Sequence, residues 1–181
     1  MKDFIRQNPL LSLCGLNCIL CPMHIGGYCP GCGGGAGNQA CSIARCSLQH
    51  DSVEYCFLCA EYPCRHFENI DAFDSFIPHS RMKVDMEKAQ KMGLNAYRAE
   101  LDEKRRILDE LLHHFNDGRK KSLFCLAVYL LDLQDLKMVM EELAADVTES
   151  TPLKEKAALA AARLRSAADE RRILLKLRKK P

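Results

Sequence analysis

The chain has 181 residues, of which 48% are apolar and 28% charged. That length and composition exclude a disordered chain and allow either one domain or a small module joined to a modest helical domain. The formal net charge of +2 exerts no global pull toward nucleic acid or a membrane surface.

The opening residues, MKDFIRQNPLLSL, make a poor secretory leader. Asp3 interrupts the basic start, and Ser12 breaks an apolar run that is already too short. The longest apolar run, Leu123–Leu131, has nine residues, whereas a bilayer needs ~20. The expectation is a soluble, cytoplasmic protein with no membrane span. In that compartment clustered cysteines bind metal more often than they form disulfides.

Residues 10–70 hold ten of the eleven cysteines and eight of the ten glycines, with little sustained periodicity. A segment like this builds a hydrophobic core poorly and calls for a staple. The spacings are Cys14-x3-Cys18-x2-Cys21, then Cys29-Pro30-Gly31-Cys32, then Cys41 and Cys46, then Cys56-x2-Cys59, and finally Cys64. A CxxC turn presents two thiolates to one ion, and its backbone N–H groups can stabilise their charge. Gly31 suits such a turn because it reaches positive φ freely. Zinc takes four ligands in a tetrahedron, so ten cysteines are enough for about two closed sites. One division places Cys29, Cys32, Cys41 and Cys46 in the first site. The second then draws on Cys14, Cys18, Cys21, Cys56, Cys59 and Cys64. His24, His50 and His66 are the histidines inside the segment that could add ligands.

The alternative cofactor is an iron–sulfur cluster, which thiolates also hold. The x3, x2 spacing of Cys14, Cys18 and Cys21 is the one used by radical enzymes that cleave S-adenosylmethionine. Those enzymes need repeating strands that this sequence does not supply. A thioredoxin-like role for any one CxxC lacks its βαβ setting.

The elements CGLNCILCP, CPGC, CSIARC and EYCFLCAEYPC resemble the cysteine-rich family called domain of unknown function 3795. The likeness spans about residues 12–68, and RKKSLFCLAVYLLDLQDL is similar to a helical extension carried by some members. The glycine-rich GCGGGAG departs from the family pattern, in which a basic residue follows the knuckle. The resemblance implies metal binding and no particular activity or catalytic residue.

Beyond residue 70 helical periodicity takes over, and residues 71–181 are expected to form an α-helical bundle. Ser80 is a plausible N-cap for a stripe of Met82, Met86 and Ala89 closed by Gly93. Leu101, Leu108, Leu111, Leu112 and Phe115 make a second stripe, ending before Gly118. A third helix runs from Arg119 to Leu131. Asp132 opens a fourth, with Leu133, Leu136, Met140 and Leu143 on one face. Thr151-Pro152 opens the last, whose stripe of Leu153, Ala157, Ala160, Leu164 and Ala168 reaches toward Leu175. The fold class is therefore mainly α: a small, irregular, metal-stapled module on a helical bundle.

Charge separates the two parts. Residues 10–70 carry only Arg45 and Arg65 as cations, against Asp51, Glu54, Glu61 and Glu68. Two tetrathiolate zinc sites would bring that net charge to about −6, which repels phosphate backbones. Residues 163–180 carry a net +6. Such a run reads first as a solvated helix end, then as a surface for RNA, a membrane or an acidic partner, the cysteine module itself included. His113 and His114 read as a helix-end pair and Cys125 as a small core residue. No phosphate loop, nucleophile elbow or HExxH is present. The expected role is recognition or assembly of an unidentified protein partner, with catalysis disfavoured.

Overall fold

The structure, a computed structural model, describes residues 1, 4–38 and 40–180. Asp3, used above against a leader, lies outside them. Among the described residues there are seven α-helices: α1 (Pro22–Ile25), α2 (Ser42–Gln49), α3 (Met82–Met92), α4 (Leu94–His114), α5 (Lys121–Leu130), α6 (Leu133–Asp146) and α7 (Leu153–Glu170). No strand is formed among them; the one β-type pairing is an isolated bridge between Ile5 and Gly34. No helix is long and apolar enough to cross a membrane.

The chain divides into two compact units, Met1–Ala99 with Leu177–Pro181, and Glu100–Lys176. The division falls inside α4, beyond the change in composition near residue 70. The reason is a buried polar network. Asn17, between Cys14 and Cys18, donates from Nδ2 to Asp85 on α3 and to the Tyr97 hydroxyl on α4, both at 2.9 Å. All three side chains are buried. Gly15 sits against α3 as well. Its φ is +93°, and a Cβ there would lie 2.6 Å from the Met82 carbonyl oxygen. The Cys14–Cys18 turn thus packs on α3 and the first turn of α4.

The helices of the second unit follow from one-faced periodicity. Leu108, Leu111, Phe124, Val128, Leu136, Leu143, Ala157, Ala160 and Leu164 are all fully buried. Full burial is worth roughly 1.5–3 kcal/mol for each large side chain. The alanines of α7 let it approach α5 and α6, its packing partners. On α6 the buried face is Asp135, Leu136, Val139 and Leu143, shifted from the expected stripe by the exit of Leu133 and Met140 toward the rim. Lys104, itself buried, donates from Nζ to the Leu131 carbonyl at 2.5 Å, where the end of α5 attracts a cation.

Several boundaries differ from expectation, and α5 begins at Lys121 rather than Arg119. Arg81, not Ser80, occupies the N-cap of α3, and Pro152, not Thr151, that of α7. The last helix stops at Glu170 rather than running to Leu175. Arg172 takes φ +56°, and the Ile173 N–H returns to the Ala168 carbonyl at 2.8 Å. That bond closes a helix through a left-handed residue.

Candidate functional site

The cysteine-bearing loops are held to an extended N-terminal segment by single backbone bonds. The N–H of Arg6 donates to Gly33 O (3.2 Å), that of Cys32 to Pro9 O (2.8 Å), that of Ile19 to Leu10 O (2.9 Å) and that of Cys56 to Leu13 O (2.9 Å). The close approach of Cys32 to Pro9 depends on Gly31. Its φ is +93°, as the turn requires, and a Cβ there would stand 2.5 Å from the Pro9 oxygen. Two of the CxxC elements are tight 3-10 turns, each closed by an N–H···O bond of 3.0 Å: Cys21 to Cys18, and Cys59 to Cys56.

Arg6 is the centre of this arrangement. Its side chain is 2% exposed. It donates to the carbonyl oxygens of Leu11 (2.8 Å), Cys32 (3.4 Å) and Glu54 (2.6 and 3.1 Å). The Glu54 carboxylate lies 3.2 Å away, and the Tyr55 ring sits under the guanidinium at 5.1 Å. One cation therefore joins three loops that have few apolar contacts of their own. Phe4, Leu13, Ile43 and Ala44 form a small core beside it. The loop-rich segment has a protein-made staple, which the reading of residues 10–70 missed because Arg6 precedes them and its partners are backbone carbonyls.

The cysteines fall into two adjoining neighbourhoods, linked through Cys14 and Cys56. Cys46, Cys56, Cys59 and Cys64 line one cavity of about 20 Å³, together with His50, His66 and Tyr62. A space of that size holds one ion or one water and no organic substrate. Burial raises the Cys56 thiol, and Cys14, Cys64, Cys46 and Cys59 raise it further. Burial likewise raises Cys46, followed by Cys64 and Cys59. In the other neighbourhood Cys14 is pushed up to about 11 by burial. The Ser12 hydroxyl, 3.3 Å from its sulfur, opposes that rise; Cys32 and Cys41 add to it. Cys18 is raised by burial and then by Cys32, Cys14 and Cys21. The Cys29 carbonyl accepts from His24 Nδ1 at 2.9 Å.

This grouping differs from the division drawn from spacing alone. Cys46 lies with Cys56, Cys59 and Cys64, and Cys32 with Cys14 and Cys18. The cause is α2, an eight-residue helix unforeseen in a segment read as loop. Cys41 is its N-cap and Cys46 lies within it, so the two are displaced by roughly 140° around the axis and about 7.5 Å along it. Cys46 lines the cavity and Cys41 does not.

His50 closes the first neighbourhood from outside. Its Nδ1 donates to the Cys46 carbonyl at 2.9 Å and lies 3.6 Å from the Cys46 sulfur, while Nε2 is 3.3 Å from Glu61. With Nδ1 donating to a carbonyl, Nε2 is the nitrogen that faces Glu61.

Each thiolate in these groups would be opposed by its neighbours, and a central cation reverses the sign of that interaction. The donor set is therefore suited to a soft, thiophilic cation. As the side chains stand, among the described residues no three Cys, His, Asp or Glu groups are gathered closely enough to hold one ion. Sulfurs that line a cavity still need to rotate inward to bind.

His113 and His114 are exposed and stack edge to face at 4.9 Å, and Asp109 is paired with Arg105 at 2.8 Å rather than with either. Cys125 is buried in α5. Of the basic run, Arg163 pairs with Asp146, Arg171 with Asp135 and Arg178 with Asp74, each within 2.8 Å.

A scan against protein-family models, a search of curated proteins and a search of solved structures each returned no match.

Proposed function

We propose that the chain is a zinc-binding protein whose ions occupy structural, cysteine-ligated sites, and that the unit so stapled serves recognition or assembly in the cytoplasm. The observation that supports this reading is that Cys46, Cys56, Cys59 and Cys64 all line a single ion-sized cavity. Four thiolates in a tetrahedron make a closed zinc site. A second ion would fall to Cys14, Cys18 and Cys32, completed by Cys21 or Cys41; Cys29 and the other of that pair are left over. Bound zinc would supply charge neutralisation and folding free energy to the loops, with no position open for a substrate. Membership of the cysteine-rich family named above belongs to the same proposal.

What this chain's own residues contribute is positioning. Arg6 fixes the carbonyls of Cys32 and Glu54, and so the approach of the two neighbourhoods. The 3-10 turns set the spacing of Cys18 and Cys21 and of Cys56 and Cys59. His50 holds the Cys46 carbonyl through its Nδ1–H.

The test is metal content by mass spectrometry, paired with a visible spectrum, on protein purified without oxygen. About two zinc ions per chain and no colour are expected of closed thiolate sites. Replacing Cys46 and Cys59 together by Ser should remove one ion and leave the other. Iron with sulfide and absorption near ~400 nm would replace this reading with an iron–sulfur redox protein.

A further inference from the structure

The turn from Cys14 to Cys18 is held by two buried polar side chains, Ser12 and Asn17, each 3% exposed. Ser12 ties the turn to itself. Its N–H donates to the Leu16 carbonyl at 2.8 Å, and its carbonyl accepts from the Gly15 N–H at 3.1 Å. Its Oγ accepts from the Leu16 N–H at 2.7 Å. That last bond uses the oxygen as an acceptor and leaves the hydroxyl proton to be given elsewhere. The Cys14 sulfur lies 3.3 Å away.

Asn17 ties the turn to the helices. Its Nδ2 donates to Asp85 Oδ2 on α3 and to the Tyr97 hydroxyl on α4, each at 2.9 Å. Gly15 lies so close to α3 that a Cβ would stand 2.6 Å from the Met82 carbonyl oxygen. The backbone that carries Cys14 and Cys18 is thus fixed by contacts the protein makes with itself.

We propose that Ser12 and Asn17 are positioning residues for a soft cation held through Cys14 and Cys18. The inference rests on the zinc reading and extends it to side chains that are not ligands. A cysteine that ligates a metal has given up its proton. The contact between Ser12 and Cys14 then has one possible direction: the hydroxyl donates and the sulfur accepts. Such a bond favours the charged sulfur and offsets part of the charge left over when four thiolates meet one dication. It also restrains where the sulfur points. Asn17 acts from further off. Moving it breaks buried hydrogen bonds to Asp85 and Tyr97, which is expensive in low dielectric. The adjacent Cys18 is therefore held in register with Cys14 before any ion arrives, and preorganisation lowers the cost of binding.

The experiment uses full-length protein carrying Cys46→Ser and Cys59→Ser, in which the ion that remains is the one assigned to Cys14, Cys18 and Cys32. Zinc affinity is measured by competition with a chromophoric chelator, and the cobalt form by its absorption spectrum. Adding Ser12→Ala should weaken zinc binding by about ten- to a hundredfold, the usual loss when a ligand's hydrogen-bonding partner is removed. It should also move the sulfur-to-cobalt charge-transfer band to longer wavelength, because a thiolate without its hydrogen bond gives up an electron more readily. Ser12→Thr keeps the hydroxyl and should restore both. Tyr97→Phe removes an acceptor of Asn17 and touches no sulfur. It should weaken zinc binding without moving the band. In the complementary protein, carrying Cys14→Ser and Cys18→Ser, none of these changes should alter zinc affinity. The band comparison is repeated in the otherwise wild-type chain, so it does not depend on the paired serines folding. Unchanged affinity in Ser12→Ala and Tyr97→Phe, an unmoved band in Ser12→Ala, or equal weakening in both paired-serine proteins overturns the proposal. A wild-type chain that takes up neither zinc nor cobalt fails the zinc reading and this inference with it. One that fills both sites and is indifferent to Ser12 and Tyr97 fails this inference alone.

Discussion

The two units reach order by different physics. In the unit of residues 100–176, helices bury leucines and alanines on one face, and charged groups such as Arg163 and Asp146 pair at the margin. In the unit that begins the chain, short turns are joined by a buried arginine, by single backbone bonds and by a glycine that admits a close approach. The first kind of order is spread over many weak contacts, so losing one side chain subtracts a share. The second is concentrated in a few polar contacts in low dielectric, where leaving one partner alone is expensive. The unit that depends on few contacts is also the one that gathers the thiols, and added metal cross-links would matter most there.

The sharpest way to break the symmetry between the units is to remove metal. Structural zinc contributes on the order of 10 kcal/mol to folding in small metal-dependent units. On the zinc reading, a strong chelator should abolish amide protection across residues 14–64 while the amides of α5, α6 and α7 keep theirs. Protection that persists in the cysteine loops after complete metal loss would show that Arg6 and the small core suffice without it.

Arg6 gives the next largest effect. Arg6→Met keeps an apolar stem but leaves the carbonyls of Leu11, Cys32 and Glu54 without their donor. Breaking a buried charged contact of this kind costs about 3–5 kcal/mol. Exchange should accelerate in residues 6–56 and remain unchanged in α5–α7, and zinc should leave faster. An Arg6→Met protein with wild-type exchange would mean that the thiol sites alone fix the loops. The mirror experiment is Leu108→Ala, which should cost the second unit about 3 kcal/mol through a cavity. It should leave metal content intact, as read by thermal unfolding and mass spectrometry.

The same contrast decided what could be read in the sequence. Helices α3 to α7 were legible because burial follows a 3.6-residue period, as in Met82, Met86 and Ala89 or Ala157, Ala160 and Leu164. The helix α2 was not. Its buried residues are Ile43, Ala44 and Ser47, too few to set a period, and its cysteines draw attention to spacing instead. Spacing placed Cys41 and Cys46 together; helix geometry turns them apart. Arg6 left no trace because a cation that serves carbonyls has no partner in the side-chain pattern. The end of α7 was overrun because its left-handed residue is Arg172 rather than the usual glycine. Juxtapositions made through space between distant segments, such as Cys46 and Cys64 lining one cavity or Asn17 bonding to Tyr97, have no local signature at all.

The smallest expected effect concerns acid. Burial works to raise the Asp74 carboxyl, but the Arg178 side chain and N–H and the His79 N–H outweigh it and hold it below its ordinary value. A carboxyl depressed in the folded state stabilises that state fully above its unfolded value, here 3.8. The contribution is lost as pH falls below that value and through the depressed folded one. Asp74→Asn should therefore lower the melting temperature of the first unit at neutral pH, and the gap from wild type should close only on strong acidification. A gap that stayed constant down to the lowest pH at which the protein remains folded would mean that the ionised carboxylate contributes nothing. Asp74 would then act through its backbone and shape alone. Asp71 is depressed as well, chiefly by its hydrogen bond from Lys83. The comparison must therefore be made between variant and wild type and not from the wild-type profile. Because all of these groups lie in the first unit, the melting of α5–α7 serves as the internal reference, and its own acid response must be the same in both proteins.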